Sequence, residues 1–369
     1  MTLVIQICNE DSLLLIADLL TSGIKLPNSA PALPTIAKNR PVPSTDTGKD
    51  VPRALVQKIT LVGTNVALAW SGSRRVAEDV ICRLLETRSC QQGDIEDVVK
   101  YLVSCGRKIW AELSVAGLAH KDNRFFAFGC GNDFVEIPTT VYGTVGLLGC
   151  GMPAFSRVIA RINESSLRRP TFDIGLIAQM ISRGLVITGS LIEEELQTRP
   201  WLNELFGGSY EIIAPSEAGL EKVGDVSYVY WDAILDSKGK ITLKLLPRRV
   251  FRLAYQNDAL LIRTIEPSVV AGRTSATSRL FVIPPVHRTV AECNVNRKSL
   301  PPFNTRWVSL SVVVHLPSGQ YKVLTVVQIR GRYGDGHINF EETGETVHMK
   351  IEKEFTNGIV RDIKKYMLG

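Results

Sequence analysis

Apolar and polar residues alternate from Thr2 to Cys8, break at Asn9-Glu10-Asp11, and resume as the almost continuously apolar Ser12–Ala17. This pattern predicts a hairpin at the start of the chain, with its second strand the more deeply buried. Proline, Ser, Thr, Asn and Lys then crowd residues 25–53, with Pro27, Pro31, Pro34, Pro41, Pro43 and Pro52, which predicts a long inserted loop. A second hairpin is predicted from Leu55–Val62 and Val66–Ser71 about Gly63-Thr64-Asn65. Helical spacing of apolar residues follows over Arg74–Thr87 and over Asp94–Leu113. Strand patterns return at Arg124–Phe128, Phe134–Ile137 and Gly143–Leu148. A helix opening near Pro153, a second helix over Ile174–Ile187 and a short strand at Tyr210–Ala214 complete this part.

Strands, helices, strands, helices and a strand, in that order, suit an α/β fold with sheets covered by helices on both outer faces. Past Pro215 the pattern changes to strands alone: Val226–Leu235, Ile241–Leu246, Val250–Tyr255, Leu260–Ile265, Trp307–Leu316 and Tyr321–Ile329. A polar loop is expected over Ser268–Ser278, and a terminal helix over Ile359–Met367. The expected division is a first domain over 1–215, with the insertion at 25–53, and a β-rich domain over 216–369.

Length and composition agree with two ordinary cores: 369 residues, 45% hydrophobic and 22% charged. No apolar run is long enough to read as a bilayer span, and no basic segment precedes the first apolar residues, so neither a membrane partner nor a signal peptide is expected. The seven cysteines form no C-x-x-C pair and lie in apolar patterns, which points to free thiols in a reducing, cytoplasmic setting and away from zinc. None of the five histidines has ligand spacing, and no cofactor is expected. A net charge of +6 is mild at this length, so nucleic acid is not an expected partner. Arg248, Arg249, Arg252 and Arg263 read as the solvated face of a sheet, and Arg330-Gly331-Arg332-Tyr333-Gly334 as a faint RNA-like signature.

Thr2 changes the picture. A threonine hydroxyl needs a base, and at a freed N-terminus its own α-amine, with a pKa of about 7.7–8.0, is near enough to serve. Thr2 is small enough for Met1 removal to expose that amine. A neighbouring ammonium would keep the amine neutral and favour the alkoxide, and a carboxylate would hold the ammonium in place.

Thr2-Leu3-Val4-Ile5 leading to Ile16-Ala17-Asp18, Lys58 in Gln57-Lys58-Ile59, Gly72 in Ala69-Trp70-Ser71-Gly72, Gly149-Cys150-Gly151 before Pro153, and Gly207-Gly208 together resemble proteasome β subunits and the bacterial HslV peptidase. The resemblance covers most of the first 215 residues. It implies an Ntn-hydrolase αββα sandwich, followed here by the β-rich C-terminal domain. In its terms Thr2 is the nucleophile and its amine the base. Lys58 is the electrostatic activator, Asp18 orients Lys58, and the Gly72 amide is an oxyanion donor. It further implies peptide or protein substrates lying along Ser22 and the Gly72 segment, with Trp70 and Cys150 beside them, and a homo-oligomeric ring; any ATPase partner is left unspecified. Leu20 stands where the family carries arginine, Cys150 where it carries serine, and Asn203 and Phe206 where it carries aspartate and serine. Those departures keep two other readings open: a catalytically silent structural subunit, and a partner-binding protein acting through its C-terminal half. Read from the residues alone, Asp18 and Lys58 also fit a strand-end turn and a solvated strand, and Gly72 and Gly149 fit positions that need positive φ or close packing.

Overall fold

The strands that open the chain are apolar on both sides because each side meets a different layer. In the computed structural model of the chain, the described residues are 2–9, 12–23, 32–35, 51–165, 175–197, 206–244, 247–270, 273–296, 301–303, 305–329, 338–343 and 346–367. Strands β1 (Val4–Asn9) and β2 (Ser12–Asp18) form the expected hairpin. A short ribbon, β3 (Leu20–Gly23) with β4 (Val51–Leu55), spans the ends of the proline-rich segment, most of which lies outside the described residues. Strands β5 (Ile59–Val62) and β6 (Val66–Gly72) lead to helices α1 (Arg74–Glu86), α2 (Arg88–Gln91), α3 (Ile95–Ser104) and α4 (Gly106–Trp110). Then come β7 (Leu113–Lys121), β8 (Arg124–Cys130), β9 (Val135–Thr139) and β10 (Gly143–Leu148). Helices α5 (Met152–Ser165) and α6 (Gly175–Gln197) precede β11 (Tyr210–Ser216) and β12 (Gly219–Lys222).

One sheet runs β12-β11-β2-β1-β10-β9 and a second β5-β6-β7-β8. They meet through Val4, Leu13, Leu15 and Ala17 of the first and Ile59, Ala67, Ala69, Ala116 and Leu118 of the second; the alanines allow close approach. On its other side the first sheet turns Leu3, Ile5, Leu14 and Ile16 towards Phe155 and Val158 of α5 and Ile181 and Leu185 of α6. The second turns Leu68, Trp70 and Val115 towards Val76, Val80 and Leu84 of α1 and Val98 and Leu102 of α3. The protein is thus mixed α/β with several sheets.

The rest of the chain builds a seven-stranded sheet: β13 (Val226–Leu235), β14 (Ile241–Leu243), β15 (Arg249–Gln256), β16 (Ala259–Val270), β17 (Arg273–Ile283), β18 (Trp307–His315) and β19 (Tyr321–Ile329). β13 and β18 pair in parallel along their length. One face of this sheet, through Tyr228, Tyr230, Phe251 and Trp307, joins the same core as α6 and the first sheet. The opposite core includes Ile338 and Phe340 of a hairpin, β20 (Ile338–Thr343) with β21 (Thr346–Ile351), and Ile359 and Ile363 of α7 (Lys353–Met367).

The structure corrects the sequence reading in several places. The helix expected over Asp94–Leu113 is two, α3 and the short α4, broken where Gly106 takes a φ of +76°, and Leu113 already opens the central strand β7. Within the expected loop over Ser268–Ser278, residues 268–270 and 273–278 are instead paired strand, the ends of β16 and β17. The expected division after Pro215 falls inside β11, and β12 extends the first sheet further. Arg249, Arg252 and Arg263 are buried rather than solvated: Arg249 pairs with Glu266, Arg252 with Asp225, and Arg263 lies over the Phe303 ring. α6 has the length and hydropathy of a membrane span, which the short apolar runs did not announce. With 61% of that stretch buried and a sheet on either side, it occupies the position of a core helix.

Candidate active site

Thr2, Asp18 and Lys58 come from three different strand ends, and the two-sheet packing brings them together. β2 ends at Asp18, directly across the hairpin from the start of β1, and the Asp18 amide donates to Leu3 O at 3.0 Å. Lys58 sits where the chain passes between β4 and β5, inside what the sequence pattern gave as a single strand over Leu55–Val62. From there its Nζ donates to Asp18 Oδ1 at 2.6 Å, to Leu20 O at 2.6 Å and to Thr2 Oγ1 at 3.0 Å. An ammonium has three protons, and all three are used. Burial pulls the Lys58 pKa down, while Asp18 opposes that by charge and hydrogen bond. Leu20, a departure from the family pattern in its side chain, therefore serves the site through its carbonyl.

Asp18 is held as firmly as the lysine. Its Oδ1 accepts from Leu3 N at 2.9 Å, and its Oδ2 from Gly207 N at 2.9 Å and Leu20 N at 3.3 Å. With the Lys58 ammonium, four N–H donors converge on one buried carboxylate and fix its position. The result is a fixed cation against the Thr2 hydroxyl, with no solvent to dilute it: Lys58 and Asp18 are 0% exposed and Thr2 1%.

Gly149 and Gly151 flank the backbone of Thr2. Gly151 N donates to Thr2 O at 3.2 Å, and a Cβ on Gly149, whose φ is +84°, would collide with that same oxygen. Gly149→Ala is accordingly expected to cost about 1–3 kcal/mol, from a strained φ and a displaced Thr2, and to lower any Thr2 chemistry with it. Denaturant midpoints compared with those of Gly143→Ala check the local part. Gly143 shares the positive φ, but a Cβ there meets only Asn9 Nδ2, at 3.7 Å.

The remaining expected site residues fall in different places. Gly72 ends β6, exposed, with φ +112°, and a Cβ there would strike Glu112 O, so packing and backbone alone require glycine. It follows Ser71, whose Oγ lies beside Gly149. Ser22 is half-buried in β3. Cys150 points its thiol to Thr2 O at 3.9 Å, and burial pushes that thiol up, away from thiolate chemistry. Trp70 does not face an open pocket: at 2% exposure it packs in the core beneath α1 and α3. Phe206 is fully buried in the α6 core, and Asn203 lies outside the described residues.

Two glutamates that the sequence reading passed over complete the surroundings. Glu211 Oε2 accepts from Lys58 N at 2.7 Å and Ile59 N at 3.1 Å, fixing the lysine's backbone. Glu195 accepts from Gly208 N at 3.0 Å and Tyr210 OH at 2.7 Å, anchoring the double-glycine turn whose Gly207 amide holds Asp18. For Glu211 the available signal was a charged residue inside the otherwise apolar Tyr210–Ala214; Glu195, the third of three consecutive glutamates, carried no such signal. Burial pushes Glu195 up to about 8 against its hydrogen bonds from Tyr210 and Gly208, and pushes Glu193 up to about 7 against Arg161 and Arg248. Both values exceed those of an unfolded glutamate, so the folded state keeps protons that the unfolded chain releases. Stability is therefore expected to fall as pH rises from about 5 to about 8. Glu193→Gln, which cannot ionise, should flatten the lower part of that slope in urea titrations.

Among the described residues no group of three or more His, Cys, Asp or Glu side chains is arranged to hold a metal ion. No family model matches the chain, and no curated protein matches it. Among solved structures it is similar to eukaryotic HslV from Trypanosoma brucei, at 10% identity and a TM-score of 0.31, over 57% of this chain and 97% of that one.

Proposed function

We propose that the protein is a threonine-type N-terminal-nucleophile hydrolase of the proteasome and HslV kind. The chain through β12 forms the αββα sandwich, and the chain from β13 onward a β-rich unit. The observation that carries this reading is the contact of 3.0 Å between Lys58 Nζ and Thr2 Oγ1, with Asp18 and Leu20 O taking the other two ammonium protons. A buried ion pair is a poor way to stabilise a fold, since well-packed apolar residues serve as well or better. Its placement against one hydroxyl at the start of the first strand is what a nucleophile requires.

In the proposed reaction, removal of residue 1 frees the Thr2 amine. The hydroxyl proton passes to that amine as Oγ1 adds to the peptide carbonyl, and Lys58 stabilises the developing negative charge on Oγ1. The Gly72 amide takes the carbonyl oxyanion. The amine returns the proton to the leaving peptide amine, giving an ester on Thr2, and water, deprotonated by the same amine, releases the acid. The motif resemblance adds a peptide substrate and homo-oligomeric assembly to this reading.

A second reading, a catalytically silent subunit, is favoured by two observations: Thr2 is 1% exposed, and Phe206 is buried where the family has a serine. Intact mass and turnover on the same preparation separate the two. The hydrolase is expected to begin at Thr2 and to cleave fluorogenic peptide amides. A chain that retains residue 1 and still cleaves them, or one that begins at Thr2 and cleaves none, contradicts the proposal.

A further inference from the structure

The lysine-bearing segment is held from the far side of the molecule. Between β4 and β5 the chain leaves its own sheet neighbours, and Gln57, next to Lys58 and 1% exposed, is taken up by the seven-stranded sheet. Gln57 N donates to Pro284 O at 3.0 Å, and a parallel bridge joins Gln57 to Pro285. Its side-chain amide donates twice, to Asp258 O at 2.7 Å in the β15–β16 turn and to Ile283 O at 2.8 Å at the end of β17. Its Oε1 accepts from Lys222 Nζ at 2.6 Å.

The same bracket reaches Lys58 a second way. Glu211, which fixes the amides of Lys58 and Ile59, lies 3.6 Å from Lys222 Nζ through its other oxygen, and Tyr255 OH of β15 donates to that oxygen at 3.5 Å. Lys222 is also 3.6 Å from Asp258 Oδ1. Trp70 N of β6 donates to Lys58 O at 3.3 Å, but Gln57 and Glu211, on the other side of the Lys58 backbone, are each held by groups from the C-terminal half: Gln57 by Asp258, Ile283 and Pro284, Glu211 by Tyr255, with Lys222 of β12 between them.

We propose that the β-rich half is part of the threonine site, with Gln57 as the positioning residue that transmits its hold to Lys58. The inference deepens the hydrolase reading and rests on it for its catalytic consequence. The ammonium must meet three acceptors at once, and a slip of the Gln57 backbone by about 1 Å breaks that fit, which elsewhere lowers turnover about a hundredfold. A Gln57 that merely glued two layers together would affect stability and leave Lys58 in place.

The test compares Gln57→Leu with Leu324→Ala, a core truncation on β19 that touches none of these residues, in the full-length protein. Lys222→Met removes one strut of the same bracket and stands in where Gln57→Leu reduces the yield of folded protein. Two quantities are read: peptide hydrolysis across pH, and acetylation of Lys58 by acetic anhydride, followed by mass spectrometry. Gln57→Leu is expected to lower kcat about ten- to a hundredfold with little change in KM, to shift the pH profile, and to raise Lys58 acetylation several-fold. Leu324→Ala, at a similar loss of Tm, should change none of these. Equal activity and equal Lys58 acetylation in the two variants overturns the proposal. If the wild type hydrolyses nothing, the hydrolase reading fails by itself, and acetylation alone decides the positioning role: raised in Gln57→Leu it stands, unchanged it falls.

Discussion

Thr2→Ala is expected to abolish peptide hydrolysis, by a thousandfold or more, roughly the scale on which removing a nucleophile acts. Among the described residues no other hydroxyl is hydrogen-bonded to Lys58 Nζ, whose remaining protons are engaged by Asp18 and Leu20 O. The variant also carries a structural penalty. It leaves one proton of a buried ammonium without an acceptor, a loss of about 1–3 kcal/mol. Thr2→Ser keeps the oxygen and is expected to retain both activity and most of the stability. Steady-state rates and denaturant midpoints on the three proteins check this. An alanine variant that cleaves like the wild type excludes Thr2 as nucleophile.

Lys58→Met should be as damaging to activity and more damaging to the fold. Methionine fills much the same space, but it strips the charge from beside Thr2 and leaves Asp18 buried without its cation. Breaking a buried pair in this way costs about 3–5 kcal/mol. Lys58→Arg does not rescue it, although the charge is kept. A guanidinium is a planar fork, whereas the acceptors here, at 2.6, 2.6 and 3.0 Å, surround a single point at the end of a fully buried stem. Loss of turnover in both variants, with partial recovery of stability in Lys58→Arg at most, is the expected pattern. Wild-type turnover in Lys58→Met would show that Thr2 is activated by something else.

Much of this site could be read from the sequence because its parts obey local rules. The alternation of β1 and the continuous apolar run of β2 place Thr2 and Asp18 at the same end of one hairpin, as the register of Val4 opposite Ala17 bears out. Lys58 was legible only through the family resemblance; from the residues alone it fits a solvated strand, whereas the structure buries it fully. What was not legible depends on contacts distant in sequence. Glu211 meets Lys58 across 153 residues, and Gln57 meets Ile283 across 226. No periodicity reports such pairings. β7 was missed for a different reason. Its Leu-Ser-Val-Ala-Gly-Leu-Ala run is rich in small residues of low strand propensity, and it is a strand because it is the central, buried member of its sheet. Trp70 shows the opposite error: the family resemblance placed it beside the substrate, while the pleat of β6 turns the indole towards the helices.

Reaction with a peptide epoxyketone tests the central claim most directly, since a ring adduct forms only when a hydroxyl and a free amine belong to the same residue. The account predicts a single adduct on a chain that begins at Thr2, mapped to the first peptide by mass spectrometry, and none on Thr2→Ala. Folded protein that begins at Thr2 and stays unmodified at saturating reagent, or an adduct that maps elsewhere, would contradict it.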